Sequence, residues 1–382
     1  MDKKLKVGVI GTGFIGKQHI EAIRRIPGTE VCAIADSNLN MAKSVSEQLF
    51  IQNYYQDYKE MLKDEVIDII HNCTPSAMHY VINKDVIASG KHIYCDKPFT
   101  LTSTESEELI TLAFEKGVAA GVNFNYRNNV MVHEMHERIK NGNIGKVLMI
   151  HGEYLQDWLL YETDYDWRMD PKIGGKSRAI ADIGSHCFDT IQYVIGKKII
   201  SVYAKLMTMY PVRKHMEKTD TFSGNNGKVI DEIPIESEDA AFIMVKFEDG
   251  ILGLFNISQV CAGKKNGLMI NVSGSEASLE WKQENADKLF VGHRDVGNED
   301  IYADAKYLTS YAKKYATLPN GHSVGWADAF RNGIASFYES VRNESYMEKE
   351  QVYATFDNAH RIMKIVEACL KSNEVGHWIN ID

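Results

Sequence analysis

Apolar residues in the first 124 positions occur as short uninterrupted runs, which alternate with segments where they recur every three or four positions. Uninterrupted runs are typical of strands buried on both faces, and the wider spacing is typical of amphipathic helices. The predicted strands are Leu5–Ile10, Glu30–Ala35, Ile67–Asn72, Lys91–Cys95 and Val118–Asn123. The predicted helices are Phe14–Arg25, Asn40–Phe50, Ala77–Ser89 and Ser103–Lys116. Strands that alternate with helices indicate an α/β fold built on a parallel, doubly wound sheet.

The pattern changes after residue 124, where strand-like runs follow one another with fewer helices between them. The predicted strands are Lys146–Gln156, Ile199–Met209, Asp239–Phe247, Ile251–Val260, Leu268–Ser273 and Ala277–Trp281. The predicted helices are Val130–Asn141, a segment that contains Asp182 and ends near Gly196, Val324–Arg342 and Val352–Leu370. Because Asp249-Gly250 is typical of a tight hairpin turn, we predict a mainly antiparallel sheet with helices on one face.

A chain of 382 residues is long for a single hydrophobic core, so this change of pattern predicts two domains. We place them at residues 1–124 and 125–382. Residues 212–236 are polar and charged, and we interpret them as a surface excursion.

Composition excludes several classes of partner. The net charge is −9 and no run of basic residues stands out, which argues against nucleic acid. No apolar window approaches the roughly 18 residues of a membrane span, and the N-terminal apolar run is too short for a secretion signal. The six cysteines are scattered without a CxxC pair, which predicts reduced thiols and a cytoplasmic location.

A glycine motif follows the first predicted strand directly. Gly11, Gly13 and Gly16 form GxGxxG at the start of a predicted helix, and Asp36 ends the second strand twenty residues later. This arrangement is typical of dinucleotide sites, where backbone N–H groups bind the pyrophosphate and the acid binds the ribose hydroxyls. A carboxylate repels a 2′-phosphate and Ser37-Asn38 supplies no arginine, so we predict NAD as the cofactor. The alternative is a structural glycine turn.

Asp182 and His186 lie four residues apart in the segment AIADIGSHCFD, a spacing that places both on one face of a helix. The pair is consistent with a surface hydrogen bond, half of a metal site or an acid–base couple. Local alternatives are a helix cap for Asp182 and a buried, hydrogen-bonded role for His186. The segment VHEMHER resembles HExxH, but its second histidine is one residue short, so we interpret it as a solvated helix and predict no metal site.

Lys97 follows the Lys91–Cys95 strand in GKHIYCDKPFT, at the sheet edge where parallel α/β sheets bind ligands. With these residues in place, the chain resembles the Gfo/Idh/MocA oxidoreductases, the group of glucose–fructose oxidoreductase and inositol dehydrogenase. The matching segments occur in the family's order and span almost the whole chain: GxGxxG, Asp36, NCTPSAMH, GKHIYCDKP, NFNYR, DWR, DIGSHCFD and GHSVGWADAF. Asp96 stands where glutamate is commoner in the family.

The resemblance implies a Rossmann domain followed by an α/β domain with a large open sheet that often forms oligomer contacts. It implies that Lys97, Asp182 and His186 are the catalytic residues and that the peptide bond before Pro98 is cis. It also implies that the WR segment approaches the cofactor. The residues expected to contact the cofactor are Gly11, Gly13, Phe14, Ile15, Gly16, Asp36, Cys73, Thr74, Pro75, His79, Trp167 and Arg168.

Oxidation of a secondary alcohol releases a hydride and a proton. His186 titrates near neutral pH and is assigned as the acid–base group, and the Lys97 cation is assigned to polarise the oxygen, although the two roles are interchangeable. Asp182 is expected either to orient the imidazole or to bind a second hydroxyl. Tyr126, Gln156 and His322 are further candidates for binding substrate hydroxyls, or else ordinary core and loop residues.

We therefore predict an NAD-dependent oxidoreductase acting on a secondary hydroxyl of a sugar or cyclic polyol. The combination QDWLLYETDYDWR…GGKSRAIADIGSH resembles the branch of the family that acts on pyranose-type and anhydro sugars more than the inositol branch, which favours those sugars. Aromatic rings beside several hydrogen-bonding groups suit a sugar. The predicted partners are a small-molecule substrate and further copies of the chain, as a dimer or tetramer through the C-terminal sheet. The alternatives are an NAD-retaining glycosidase of the same fold and a non-catalytic NAD-binding sensor.

Overall fold

The computed structural model describes residues 4–218, 226–319 and 321–382. The strands, in chain order, are β1 Leu5–Ile10, β2 Thr29–Ala35, β3 Asn53–Tyr55, β4 Ile69–Asn72, β5 His92–Cys95, β6 Ala120–Val122, β7 Val147–Leu155, β8 Ile199–Met207, β9 Val212–Lys218, β10 Asn226–Pro234, β11 Ala240–Phe247, β12 Leu252–Ser258, β13 Gly267–Gly274, β14 Ser278–Lys282, β15 Lys288–Gly292, β16 Glu299–Tyr302, β17 Ala354–Thr355 and β18 Ile379–Asn380. The helices are α1 Phe14–Arg24, α2 Leu39–Leu49, α3 Tyr58–Leu62, α4 His79–Ala88, α5 Ser103–Lys116, α6 Val130–Lys140, α7 Pro171–Gly174, α8 Ser185–Ile195, α9 Trp326–Arg342 and α10 Phe356–Val375.

The chain forms two compact units. Unit 1 runs from the start of the chain to Asn128 and also contains Ala327–Arg361, and unit 2 contains Asn129–Trp326 and Ile362–Asp382. The later segment returns to unit 1 because β17 pairs with β6 across more than 200 residues of sequence. The predicted division into residues 1–124 and 125–382 does not account for Ala327–Arg361, which belong to unit 1.

Unit 1 contains a seven-stranded sheet in the order β17-β6-β5-β4-β1-β2-β3. All neighbours are parallel except the short β17, which is antiparallel to β6. The central strands are buried on both faces, as in β1, where the consecutive residues Val9 and Ile10 point to opposite faces and are both buried. The predicted parallel, doubly wound α/β sheet is confirmed. The short β3 and α3 were not among the predicted elements.

Unit 2 contains a nine-stranded sheet in the order β16-β15-β14-β13-β7-β12-β11-β8-β18. Its pairings are antiparallel except for β7 with β12. Along β11 buried and exposed residues alternate, so one face of the sheet is covered. Asp249 and Gly250 both have positive φ in the β11–β12 connection, and the predicted mainly antiparallel sheet and its hairpin turn are confirmed.

Residues 212–236 were expected to be a polar surface excursion. The described residues of β9 and β10 form an antiparallel pair there that is largely exposed, but Arg213 is fully buried; residues 219–225 lie outside the described part. The VHEMHER helix was expected to be solvated, but His133 and Glu134 are fully buried. Burial is possible because Glu134 pairs with Arg138, one turn later in the same helix, and accepts hydrogen bonds from Thr309, which is 175 residues away and not visible in the local pattern. Within the described residues, no helix is both long and apolar enough to span a membrane.

Candidate active site

The GxGxxG loop has one structural task for each glycine. Gly11 has a φ of +89° and a Cβ at this position would lie 2.6 Å from the Cys73 carbonyl oxygen. A Cβ on Gly16 would lie 1.9 Å from the Gly11 carbonyl oxygen, so only glycine lets helix and strand pack this closely. Gly13 is the N-cap residue of α1, and there is open space where its Cβ would lie. This geometry fits a pyrophosphate against backbone N–H groups.

Asp36 lies directly after β2, beside this loop. Its Oδ2 accepts hydrogen bonds from the Thr12 N–H at 2.9 Å and the Thr12 hydroxyl at 2.7 Å, and its Oδ1 accepts the Asn38 N–H at 3.0 Å. The carboxylate is therefore fixed in direction at the end of the strand. Phe14 is 66% exposed and Ile15 is half-buried, so both side chains flank the open side of the loop.

The loop after β4 carries three further predicted cofactor contacts, Cys73, Thr74 and Pro75. Cys73 is buried and burial raises the pKa of its thiol well above the usual value, so the thiol is not a nucleophile at neutral pH. The Thr74 hydroxyl donates to Asn72 Oδ1 at 2.7 Å, and Pro75 is exposed. The three residues lie at the carboxyl edge of the sheet, and their contact with the cofactor stays a prediction.

Lys97 follows β5 at the same edge. The Lys97–Pro98 peptide bond is cis, which confirms that expectation, and the Lys97 side chain is half-buried. The preceding Asp96 accepts a hydrogen bond from Asn123 Nδ2 at 3.0 Å, an atom that follows β6. The segment that presents Lys97 is therefore tied to the neighbouring strand as well as to its own.

His79, at the start of α4, is buried and bridges two backbone carbonyls. Its Nδ1 lies 2.6 Å from the Pro98 oxygen and its Nε2 lies 2.8 Å from the Thr74 oxygen. Burial lowers the pKa of His79, and a neutral imidazole donates only one proton. This geometry supports a positioning role for His79 between the two loops; a direct contact with the cofactor stays a prediction.

Tyr126, in the same unit, is 3% exposed, and its role toward substrate likewise stays a prediction.

Asp182 and His186 lie in unit 2 on two helical segments of different kind. Ile180–Gly184 forms a π-helical turn that contains Asp182, and His186 is the second residue of α8. The structure therefore replaces the regular helix expected at Asp182 with a wider turn. Such turns are rare and often occur at functional sites. His186 is buried, and its ring lies beside Tyr154 with centroids 6.2 Å apart.

The Asp182 carboxylate is oriented by two neighbours. Its Oδ2 accepts a hydrogen bond from Gln259 Nε2 at 2.8 Å, and its Oδ1 lies 3.5 Å from Arg168 Nε. Asp166 in turn accepts a hydrogen bond from Arg168 Nη1 at 2.9 Å. Gln259 was not predicted from the sequence, because it follows β12, 77 residues from Asp182, and no local motif marks it.

Aromatic residues surround the Arg168 guanidinium. It lies 4.4 Å from the ring centroid of Trp167 and 5.9 Å from that of Trp158. The Trp158 indole N–H donates to Gln156 Oε1 at 3.0 Å, so Gln156, Trp158, Arg168 and Asp182 form one continuous polar and aromatic cluster. His322 is exposed and makes its hydrogen bond to the Pro319 carbonyl, outside this cluster.

A buried ionic group supports the π-helical turn. Asp239 Oδ1 accepts from Arg178 and, at 2.6 Å, from Arg213, and all three side chains are fully buried. The neighbouring Glu238 accepts the N–H groups of Arg178 and Ile180 at 3.0 and 2.9 Å. Burial by itself raises the Asp239 pKa, but the two guanidinium groups outweigh it and the pKa is lowered. The ion pairs therefore fix the segment that leads into Asp182.

Comparison with known proteins identifies both parts of the chain. Residues 5–124 match the model "Oxidoreductase family, NAD-binding Rossmann fold", and residues 132–280 match "GFO/IDH/MocA C-terminal domain". Levoglucosan dehydrogenase from Pseudarthrobacter phenanthrenivorans is 30% identical over 397 residues, which span 99% of this chain and 98% of that protein. Myo-inositol 2-dehydrogenase from Thermotoga maritima is 25% identical over 67% of this chain and 69% of its own length.

Solved structures agree on the fold. A structure of levoglucosan dehydrogenase in complex with NADH and L-sorbose superposes with a TM-score of 0.88 at 24% identity and covers 100% of this chain and 99% of that one. Residues 5–124 form an NAD-binding Rossmann domain, and the open position at Gly13 fits the pyrophosphate of that cofactor.

Among the described residues, no group of three or more histidine, cysteine or acidic side chains is placed to bind a metal.

Proposed function

Because the chain belongs to the Gfo/Idh/MocA oxidoreductase family, we propose that it is an NAD-dependent dehydrogenase of a sugar or cyclic polyol and that it oxidises a secondary hydroxyl. The observation that carries the proposal is the cluster in which Asp182 lies beside Gln156, Trp158 and Arg168. Carboxylate and amide groups beside indole rings suit a molecule with polar edges and apolar ring faces. Pyranose and anhydro sugars are the favoured substrates, in line with the relative named for levoglucosan.

The proposed chemistry assigns one role to each residue. Gly11, Gly13, Gly16 and Asp36 would hold the dinucleotide, and its nicotinamide would supply the hydride acceptor. His186 accepts the hydroxyl proton, and Lys97 places a cation next to the oxygen as negative charge develops on it. Asp182, fixed by Gln259 and Arg168, orients the imidazole or accepts a hydrogen bond from a second substrate hydroxyl.

A panel of sugars incubated with the protein and NAD tests this function. We expect reduced nicotinamide to accumulate with at least one pyranose or anhydro sugar, in the presence of the intact protein only. The panel includes levoglucosan, glucose, myo-inositol and an aryl glucoside. Release of the aryl group without accumulation of reduced nicotinamide would overturn the proposal in favour of a glycosidase, and binding of NAD without any turnover would favour a sensor.

We also propose NAD as the preferred dinucleotide. The support is the fixed Asp36 carboxylate, which accepts ribose hydroxyls and repels a 2′-phosphate. In Asp36→Ala we expect NAD affinity to fall by about tenfold or more, since a hydrogen bond to a charged group contributes about 1.5–3 kcal/mol. The difference between the affinities for NAD and for NADP should become smaller in the same variant. A preference for NADP in the unsubstituted protein contradicts the proposal.

We propose that copies of the chain associate through the open face of the nine-stranded sheet. The support is a row of apolar side chains that are 42–58% exposed on one face of three adjacent strands: Met149, Phe242, Met244, Leu252 and Leu254. Exposed apolar groups of this extent are typical of interfaces. Light scattering should show an oligomer that Phe242→Asp with Leu254→Asp converts to a monomer. A monomer in the unsubstituted protein contradicts this.

The six cysteines are free thiols, five of them buried, which supports our proposal of a cytoplasmic location.

A further inference from the structure

A line of buried aromatic groups crosses the interior of unit 1. His19 Nδ1 lies 2.7 Å from His71 Nδ1, and His71 Nε2 lies 2.8 Å from the Tyr338 hydroxyl. All three side chains are fully buried. Tyr94 and Phe330 pack against them, with ring centroids 5.2 Å from His71 and 4.8 Å from His19 respectively. The hydrogen bonds therefore lie in an apolar surrounding, where they are strong and where an unmatched donor or acceptor is costly.

The short distance between the two Nδ1 atoms determines how protons are distributed. A hydrogen bond between two ring nitrogens needs one donor and one acceptor, so one proton lies between them. Burial, with the neighbouring His19, lowers the pKa of His71 well below its usual value, and burial raises the pKa of Tyr338 well above its own. His71 is therefore neutral and Tyr338 keeps its proton.

Two arrangements in which His19 carries a single ring proton satisfy these conditions. In the first, Tyr338 donates to His71 Nε2, His71 Nδ1 donates to His19 Nδ1, and His19 Nε2 carries a proton. In the second, every donor and acceptor is reversed, and His19 Nε2 presents a lone pair.

Asp96 distinguishes the two arrangements. Its Oδ1 lies 3.9 Å from His19 Nε2, beyond hydrogen-bond length but at a distance where charge still orients an N–H. Burial by itself raises the Asp96 pKa, but His19, Lys97 and Asn123 outweigh it and the pKa is lowered, so the group is a carboxylate. Two unit charges 4 Å apart interact by about 4 kcal/mol at the effective dielectric of a protein. Even partial charges therefore favour an N–H over a lone pair at His19 Nε2.

We propose that Tyr338, His71 and His19 form a hydrogen-bond chain with a single direction, that the Asp96 carboxylate sets this direction, and that the chain positions the turn that presents Lys97. His19, His71 and Tyr338 are positioning residues, because they act on Lys97 only through Asp96. The part that concerns catalysis rests on the proposed function of Lys97, whereas the direction of the chain does not.

The direction is measured by solid-state ¹⁵N NMR on protein labelled with [¹⁵N]histidine, with His71 assigned from a His71→Gln sample. We expect His71 to be protonated at Nδ1 and bare at Nε2. In Asp96→Asn, which does not contact His71, the Nε2-protonated form of His71 should appear. Asp96→Glu keeps the charge and should keep the original form, and Asp57→Asn, a substitution at an exposed helix cap, is the control. An unprotonated Nδ1 on His71 in the unsubstituted protein overturns the proposed direction of the hydrogen-bond chain. An unchanged His71 spectrum in Asp96→Asn overturns the proposal that Asp96 sets this direction.

The effect on Lys97 is measured without relying on turnover. A lysine-reactive reagent and peptide mass spectrometry give the modification rate of Lys97, with the exposed Lys116 as internal control. In Tyr338→Phe we expect the Lys97 rate to change by about fivefold, the equivalent of one hydrogen bond, and the Lys116 rate to stay constant. An unchanged Lys97 rate overturns the positioning role.

Turnover in the same Tyr338→Phe variant then separates this proposal from the proposed function. We expect kcat to fall and the KM for NAD to stay constant wherever a sugar is oxidised. If no sugar is oxidised, the proposed function fails. The NMR spectrum and the labelling rate of Lys97 still test the hydrogen-bond chain in that case.

Discussion

The two units hold their candidate catalytic residues by different physical means. In unit 1 the turn that presents Lys97 is supported largely by hydrogen bonds of buried imidazole groups, with His79 on the Pro98 carbonyl and the His19–His71 pair behind Asp96. In unit 2 Asp182 is supported by full charges, namely Arg168 directly and the ionic group around Asp239 indirectly. The first kind of support depends on which nitrogens carry protons, and the second depends on the pairing of charges.

This difference predicts different weaknesses. Removing one charge from a buried ionic group leaves the others unpaired at high energetic cost, whereas removing one member of a neutral chain costs about one hydrogen bond. Conversely, a neutral histidine is converted to a cation by mild acid, while a carboxylate held by two arginines keeps its charge.

The largest expected effect is on the ionic group of unit 2. Asp239→Asn leaves Arg178 and Arg213 buried without their common anion, and we expect the free energy of unfolding to fall by about 3–5 kcal/mol. Denaturant unfolding followed by fluorescence measures the change. The exposed pair between Asp249 and Lys197 provides the control, and Asp249→Asn should leave stability unchanged. Equal effects of the two substitutions would mean that the buried charges do not support unit 2.

The next effect concerns Lys97 itself. Lys97→Met keeps the length of the side chain and removes its charge, so kcat should fall by about 10²–10³-fold, as expected for loss of a group that stabilises developing charge. NAD affinity should stay within a few fold and the melting temperature should not change, because the turn is held by its backbone and by Asp96.

Asp182→Ala is expected to differ from Lys97→Met in its effect on stability. It also removes a partner of Arg168, so we expect the melting temperature to fall along with kcat. An unchanged kcat in Lys97→Met, or a large drop in its stability, contradicts the comparison between the units.

The period of the hydrophobic pattern predicted a parallel and a mainly antiparallel sheet, but it did not predict the short or exposed strands β3, β9, β10 and β15 to β18. It could not predict the π-helical turn at Ile180–Gly184, because the N–H groups that lead into the turn are bound by Glu238, some 60 residues later. Arg213 was missed for a similar reason. Its surroundings in the sequence are polar, and its burial depends on Asp239 and on backbone carbonyls of residues 159–164.

The candidate site shows the same limit. GxGxxG, Asp36, Lys97, Asp182 and His186 are recognisable because their spacing or their neighbours form motifs. Gln259 lies 77 residues from Asp182, and Tyr338 lies 267 residues from His71. His19 contacts His71, which is on another element. No spacing in the sequence marks these three residues. The candidate catalytic residues can be proposed from the sequence alone, whereas the residues that contact them are identified only by the fold.

A pH series tests the histidine side of the comparison. Burial lowers the pKa of His71, His79 and His92 in unit 1 and of His136 in unit 2. Their stabilisation is complete above the unfolded pKa of about 6.5 and is lost as pH falls below it toward the folded values. Each such group contributes a slope of up to about 1.4 kcal/mol per pH unit. Hydrogen exchange, corrected for intrinsic rates, should show unit 1 losing protection faster than unit 2 between pH 6.5 and 5.5, and the reverse order contradicts the comparison.

The smallest effect distinguishes the two roles left open for Asp182. Gln259→Leu keeps the volume of the side chain and removes its hydrogen bond to Asp182 Oδ2, while Arg168 still lies at Oδ1. We expect kcat/KM to fall by about fivefold, close to the contribution of one hydrogen bond, and we expect the loss to appear in the KM for the sugar. A carboxylate beside an arginine stays ionised and accepts hydrogen bonds only, which suits a substrate hydroxyl. If instead kcat falls and its pH profile shifts with KM unchanged, Asp182 acts by orienting the His186 imidazole, and the charged support in unit 2 serves the acid–base group itself.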